Sequence, residues 1–434
     1  MKNLFHDIFL FLIIIKQISL QILVLPFKKI IPSKINETNF YSEYSKNIVY
    51  SNIKIGSPQK EIKSQIKMSQ YSLCIRNNSI YDYNTSSTYK KNGNKFSIYN
   101  LDYTDSVPSN ETFIIGKENK VLNDIKFMLT ERSKYDLDGI LGLRIHENDY
   151  RTYGHGLITQ LKSRKLINKE VFFFNYAQDK NEGELIIGDY PHYLEQFKDS
   201  YSEKQFKTTG IYIPSTDLYY DIHIRSLFWE EKEIEMMIIA KIEIEEGFIK
   251  GSKLFDDACY KFFEPHIKNN KCERKNINKD YSTYICDENS ELDISTFPEI
   301  KFYNSQTDLN ITLTYEDLFI KKNNKIHFMI IFHKEGNNQV WSLGNIIIKN
   351  NMIAFDMDKR IIGFYGKKNT EDDDDKKKKH INYTKYIIII SVAGFIILCL
   401  IGFIIYKFFY KKKAKKAVEL IDDFETNGTI GINE

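Results

Sequence analysis

The chain has 434 residues and a formal net charge of +3, with 61 Lys or Arg against 58 Asp or Glu. That length suffices for two lobes and appendages, and so near a balance of charge argues against a nucleic-acid partner, which would need clustered cations for phosphates. Hydrophobic residues make up 42% of the chain, enough for buried cores, and the abundant Lys, Asn, Ile and Tyr fall in core-like and linker-like stretches alike.

In chain order, the first feature is an apolar run at residues 8–15 (IFLFLIII) behind Lys2. It suits the hydrophobic region of a signal peptide, set at residues 1–25, or a retained signal anchor, since no clean small-residue cleavage site follows. Residues 26–39 are short and basic. Strand-like alternation begins at Tyr41 and recurs in short segments bounded by Asn, Asp, Ser and Gly: residues 53–55, 62–66, 112–115, 171–176 and 184–187. This pattern predicts a mostly β chain. Helical patterns are sparse, at residues 156–165 and 254–267, and a second long β region runs over residues 218–365.

Residues 367–385 contain Asp372–Asp375 followed by Lys376–Lys379. Opposed charge blocks cannot support a core, so a solvated stalk is expected there. Residues 386–406 (YIIIISVAGFIILCLIGFIIY) carry no charge and are long enough to cross a bilayer. Lys407, Lys411, Lys412, Lys413, Lys415 and Lys416 follow at once, which places residues 407–434 in the cytosol and the body in a lumen or outside the cell. The expected protein is therefore single-pass type I. Sequons at Asn36, Asn77, Asn84, Asn110, Asn310 and Asn382 are compatible with that topology.

Of five cysteines, Cys399 lies in the apolar span, Cys74 in the first half, and Cys259, Cys272 and Cys286 in the second. An oxidising compartment favours a disulfide, and Cys272–Cys286 is the expected one because it closes a loop rich in Lys, Asn and Asp. No Cys/His spacing suggests zinc, and no cofactor is expected. His146, His155 and His223 are scattered and suggest no nucleophile–base arrangement.

Several segments, in order, resemble the pepsin-like aspartic proteases. Residues 55–58 (IGSP) match the turn that precedes the first active-site aspartate, 81–89 (YDYNTSSTY) a downstream family motif, and 138–143 (DGILGL) its hydrophobic–Gly element, with Arg144 in place of the last glycine. Residues 183–188 (GELIIG), 297–302 (FPEIKF), 342–344 (SLG), 354–356 (AFD) and 362–364 (IGF) complete the series. The resemblance covers roughly residues 41–366. It implies an all-β bilobal fold, with lobes at 41–199 and 215–366 and a central cleft.

It also implies two aspartates, one per lobe, sharing a proton and holding the attacking water. The chain departs from the family there. Nine residues after Pro58 stands Lys67, and Glu243, three after Ala240, matches the second aspartate; a register two residues later would select Glu245. The turn glycines become Ser69 and Glu245, and the hydroxyl residues that tie the loops together become Met68 and Ile244. Tyr99 keeps the place of a flap tyrosine, followed by a bulkier tip at residues 100–106. Lys67 beside Glu243 suggests an ion pair joining the lobes. The expected function is a pseudoprotease that holds a peptide or protein in its cleft, catalysis being lost with the dyad; an active endopeptidase with substituted residues and a structural or adhesive ectodomain are the alternatives. A monomer is expected.

Overall fold

The computed structural model describes residues 21–30, 40–94, 106–131, 137–145, 156–177, 181–212, 219–304, 307–334 and 340–367. They fall within one compact unit, residues 1–368; a second unit, residues 369–434, lies wholly outside the described residues. The leader at residues 8–15, Tyr99 of the flap and the apolar span at 386–406 are likewise outside them.

The described chain is mostly β, in two sheets of 13 and 11 strands. Alternation sets the inward face. In Val49–Ile55, positions 49, 51, 53 and 55 are buried while the intervening side chains reach outward, as a period of two requires. The strands anticipated at 53–55, 62–66, 112–115, 171–176 and 184–187 lie within Val49–Ile55, Lys60–Lys67, Ser106–Ile115, Val171–Tyr176 and Glu182–Ile187. Both anticipated helices form, as Leu157–Ser163 and Lys253–Lys268. The longer starts where the Ser252 hydroxyl accepts the Phe255 N–H, which satisfies a free end donor. Phe255, Cys259 and Phe263 then recur at helical spacing and are buried.

Two elements differ from the sequence reading. Phe40–Ser45 is a short helix rather than a strand. Its aromatic residues Phe40, Tyr41 and Tyr44 fall on one face and pack on Phe248, with Phe40 stacked on His327 at 3.7 Å between ring centroids. Leu23–Lys29 is a strand, and its first three residues fall in the stretch assigned to the leader. It pairs antiparallel with Glu182–Ile187 on one side and Val49–Ile55 on the other. Pro26, exposed and opposite Glu184, obscures the alternation.

This strand belongs to a platform that continues through Val171–Tyr176 to Asn351–Asp356, Ile361–Lys367 and Lys207–Gly210. The last strands of the second half are thus built into the first sheet. In the second sheet, Cys272 and Cys286 face each other across the Cys272–Asn276/Tyr281–Asp287 pair and form the expected disulfide. Their separation of 14 residues corresponds to about 3 kcal/mol of constraint on the unfolded chain. Cys74 and Cys259 are buried free thiols.

Candidate active site

The same local topology occurs once in each sheet. Lys60–Lys67 runs parallel beside Gly139–Gly142, with Lys67 opposite Gly142, and Leu73–Arg76 flanks the other edge antiparallel. In the second sheet Lys232–Lys241 runs parallel beside Val340–Ser342, with Ile249–Gly251 on the other edge. A glycine ends the central strand in the first sheet and stands two residues past it in the second. A Cβ on Gly142 would come within 2.5 Å of the Gln70 carbonyl oxygen and 2.7 Å of that of Ser72; on Gly344, within 2.8 Å of the Glu246 oxygen and 2.6 Å of the Phe248 oxygen. Only glycine lets the loop backbone lie there.

These contacts relate the two loops residue by residue. Gln70 corresponds to Glu246 and Ser72 to Phe248, a constant shift of 176 positions. The same shift carries Lys67 onto Glu243, Met68 onto Ile244 and Ser69 onto Glu245. Ser69 and Glu245 touch: the Ser69 amide and hydroxyl both donate to Glu245 Oε1, at 2.8 and 2.7 Å. The hydrogen-bonded clasp between the loops is therefore made by Ser69 and Glu245, the positions at which the sequence reading expected altered turn residues. Met68 and Ile244 are 1% and 0% exposed and contribute apolar packing.

The ion pair shown for Glu243 is made with a lysine other than Lys67. Among the described residues the ion pair of Glu243 is with Lys241, Nζ to Oε1 at 2.6 Å. Both carboxylate and ammonium sit on one short stretch of backbone, so neither has to reach across the lobes. The Lys67 backbone carbonyl accepts the Leu143 N–H at 2.8 Å, and its side chain is buried at 6% exposure.

Around Lys241 lies a polar cluster that the sequence reading missed. The ammonium stands 3.8 Å from the Tyr219 ring centroid, and the Arg144 guanidinium 4.4 Å from the same ring, both within cation–π reach. Asp221 is the ladder partner of Lys241. Burial pushes the Asp221 carboxyl up to about 6, against the pull of Lys241 and Arg144. Burial, and next the charge of Glu245, push the Glu243 carboxyl up to about 7, against Lys241. Taking carboxylates out of water disfavours their charged form. In the sequence Asp221 and Lys241 fall at strand ends in phase with the exposed His223 and Arg225, not with the buried Ile222 and Ala240, a signal that does not distinguish a surface charge from a site residue.

A strap reinforces the second loop from behind. The Asn47 amide donates to the Glu245 carbonyl at 3.2 Å, and its side-chain Nδ2 to that of Ile244 at 2.6 Å. A Cβ on Gly247 would lie 1.8 Å from the Tyr44 carbonyl oxygen. The Tyr220 hydroxyl donates to the Leu143 carbonyl and links the second half to the first-sheet loop.

Chemically, the two equivalent positions present an ammonium and a carboxylate already engaged by its own neighbour. Glu243 can exchange a proton near neutrality. A pair of carboxylates sharing one proton across the symmetry axis is not formed by residues 67 and 243.

A model of the eukaryotic aspartyl protease family matches residues 50–366. Plasmepsin VII of Plasmodium falciparum (isolate NF54) is 27% identical over 293 residues, which is 59% of this chain and 61% of that protein. The match thus spans less than two thirds of the relative's length.

Proposed function

The chain belongs to the eukaryotic aspartyl protease family, and from that membership we propose that it is a catalytically silent member whose cleft holds an extended peptide without cutting it. The observation that carries this reading is the 176-position correspondence, which sets Lys67 and Glu243 at matching places in the two loops. We take these as the places of the dyad aspartates. Peptide hydrolysis by water needs a base and a partner that polarises the carbonyl, both free to act in the transition state. Lys67 supplies no carboxylate, and Glu243 is bonded to Lys241 at 2.6 Å.

Loss of the dyad removes turnover and leaves the binding surface. A cleft between β lobes holds an extended chain through main-chain hydrogen bonds, with side-chain pockets adding selectivity. The Ser69–Glu245 clasp and the Asn47 strap support a fixed cleft floor of the kind that binding without turnover requires.

A second reading has its own observation. Glu243, pushed up to about 7 by burial, is poised as a general base near neutral pH, and an active endopeptidase built on it would cleave there rather than in acid. A cleavage assay across pH on the full-length chain separates the two readings: silence supports the pseudoprotease, and a neutral optimum abolished by Glu243→Gln supports the second.

The proposal places the ectodomain in a lumen or outside the cell, with the charge-free residues 386–406 crossing the bilayer. Among the described residues no helix is long and apolar enough to span a membrane. Alkaline extraction of membranes tests the anchor. The full-length chain should stay in the pellet and a chain stopped at Lys367 should be released; a full-length chain that washes off contradicts the anchor.

A further inference from the structure

The strand Leu23–Lys29 is held at both edges and on both faces. Its residues Leu23 to Lys28 pair with Glu182–Ile187, and Lys28 and Lys29 pair with Val49–Ile55 across the other edge. Leu23, Leu25 and Phe27 enter the main core at 4%, 0% and 1% exposure. On the opposite face Ile22 and Val24 pack on a second apolar cluster that contains Phe173 and Ile186. Carbonyls along the strand also have fixed partners. That of Val24 accepts the Lys117 N–H at 2.9 Å, and that of Pro26 accepts the Ser51 hydroxyl at 2.7 Å.

The fit begins ahead of the strand. A Cβ on Gly188, whose φ is +129°, would stand 2.6 Å from the Gln21 carbonyl oxygen and 3.1 Å from the Ile22 Cα. A Cβ on Gly116, at φ +80°, would stand 2.8 Å from the Leu23 side chain and 2.9 Å from the Val24 carbonyl oxygen. Two glycines, in backbone conformations that other residues rarely adopt, thus leave room for residues 21–24. Such room serves only a protein that keeps those residues.

A removable leader that ended at residue 25 would take Leu23 and Leu25 with it. We propose instead that the leader peptidase of the secretory pathway cuts ahead of Gln21, and that Leu23–Lys29 is a permanent strand of the mature protein. Between the apolar run at residues 8–15 and Gln21 the one small residue is Ser19, the type such an enzyme requires beside the scissile bond. Water adds across the Ser19–Leu20 bond, leaving a carboxylate on Ser19 and an α-amine on Leu20. The inference rests on the secretory reading above and is independent of the chemistry at Lys67 and Glu243.

The test uses the full-length chain expressed with its own leader in a eukaryotic secretory host, the first residue of the product being read by mass spectrometry of its N-terminal peptide. Leu20 is the expected start, and any start from residue 17 to residue 21 supports the proposal. Ser19→Arg, which sets a bulky charge at the cut, should leave the leader attached. A luminal ectodomain that starts at Ile22 or later, or that still carries Met1, overturns the inference and leaves the secretory reading intact. A chain that keeps Met1 and stays in the cytosol contradicts both. Behind a foreign leader, a chain that begins at Leu20 should be secreted and melt as the wild type does, whereas one that begins at Pro26 should be lost; equal secretion and melting overturn the permanent strand. In the full-length chain Leu25→Ala should lower the melting temperature by about 5–10 °C, as removal of a buried leucine does, and an unchanged melting temperature would likewise overturn it.

Discussion

Glu245 is the residue on which the junction of the two loops turns. Its Oε1 accepts two hydrogen bonds from Ser69, so Glu245→Ala strips partners from a half-buried amide and hydroxyl at once. A hydrogen bond to a charged group is worth roughly 1.5–3 kcal/mol, and chemical denaturation of Glu245→Ala should show a loss of about that size; an unchanged midpoint would show that the clasp carries no load. Glu243 gives a pH signature. Its folded-state carboxyl is raised to about 7 from an ordinary 4.5, so the folded state binds the proton more tightly than the unfolded chain. Stability from this group is then full below about 4.5 and is lost as pH rises toward about 7. Asp221, raised to about 6, acts in the same direction. Melting curves of Glu243→Gln across that window should lose part of the wild-type decline. An equal decline in both proteins would mean that Glu243 is not buried as described. At this scale the sequence carried half the information. The places of Lys67 and Glu243 could be counted from Pro58 and Ala240, because a strand and its turn have fixed lengths. Their partners could not, since whether an ammonium at 67 or one at 241 reaches Glu243 depends on side-chain direction within a buried loop.

Among the elements, the strap at Phe40–Ser45 has the sharpest steric requirement. The Tyr44 carbonyl occupies the space of a side chain at Gly247. Gly247→Ala must displace the strap or the loop that carries Glu243 and Glu245. Overpacking of this kind costs typically about 1–3 kcal/mol. Hydrogen exchange should show the Asn47 amide, bonded to the Glu245 carbonyl, losing protection in Gly247→Ala; full retention would contradict the contact. The strap also shows why some elements were not legible. Alternation from Tyr41 suggested a strand, but Phe40, Tyr41 and Tyr44 fit one face of a helical turn equally well over so short a run. Phe248 and His327, both distant in sequence, decide the matter by packing on that face. Leu23–Lys29 was obscured by Pro26 and by its closeness to the apolar leader. The strands Val171–Tyr176 and Glu182–Ile187 were plain, because each is a compact hydrophobic run bounded by turn residues.

For the whole molecule, the platform matters most. The strands Leu23–Lys29, Val171–Tyr176 and Asn351–Asp356 come from the beginning, middle and end of the described chain and lie in one sheet. Phe172 stacks on Phe355 at 5.0 Å, and Tyr220 packs edge-on against Phe355 at 4.9 Å. The two loops are thereby set on a shared base, and the clasp, strap and Tyr220 hydroxyl hold them in register. The family could be recognised from ordered motifs along the chain, whereas this shared base could not, because strand order in a sheet is a long-range property. In a molecule so constructed the two central positions, Lys67 and Glu243, lack paired carboxylates. The direct test is a peptide-library cleavage assay on the full-length protein from about pH 3.5 to about pH 7.5, the span over which carboxylate dyads and raised carboxyls titrate, with and without pepstatin. No cleavage by the wild type at any pH is the predicted result; pepstatin-sensitive cleavage would contradict the account and require a competent acid–base pair at Lys67 and Glu243.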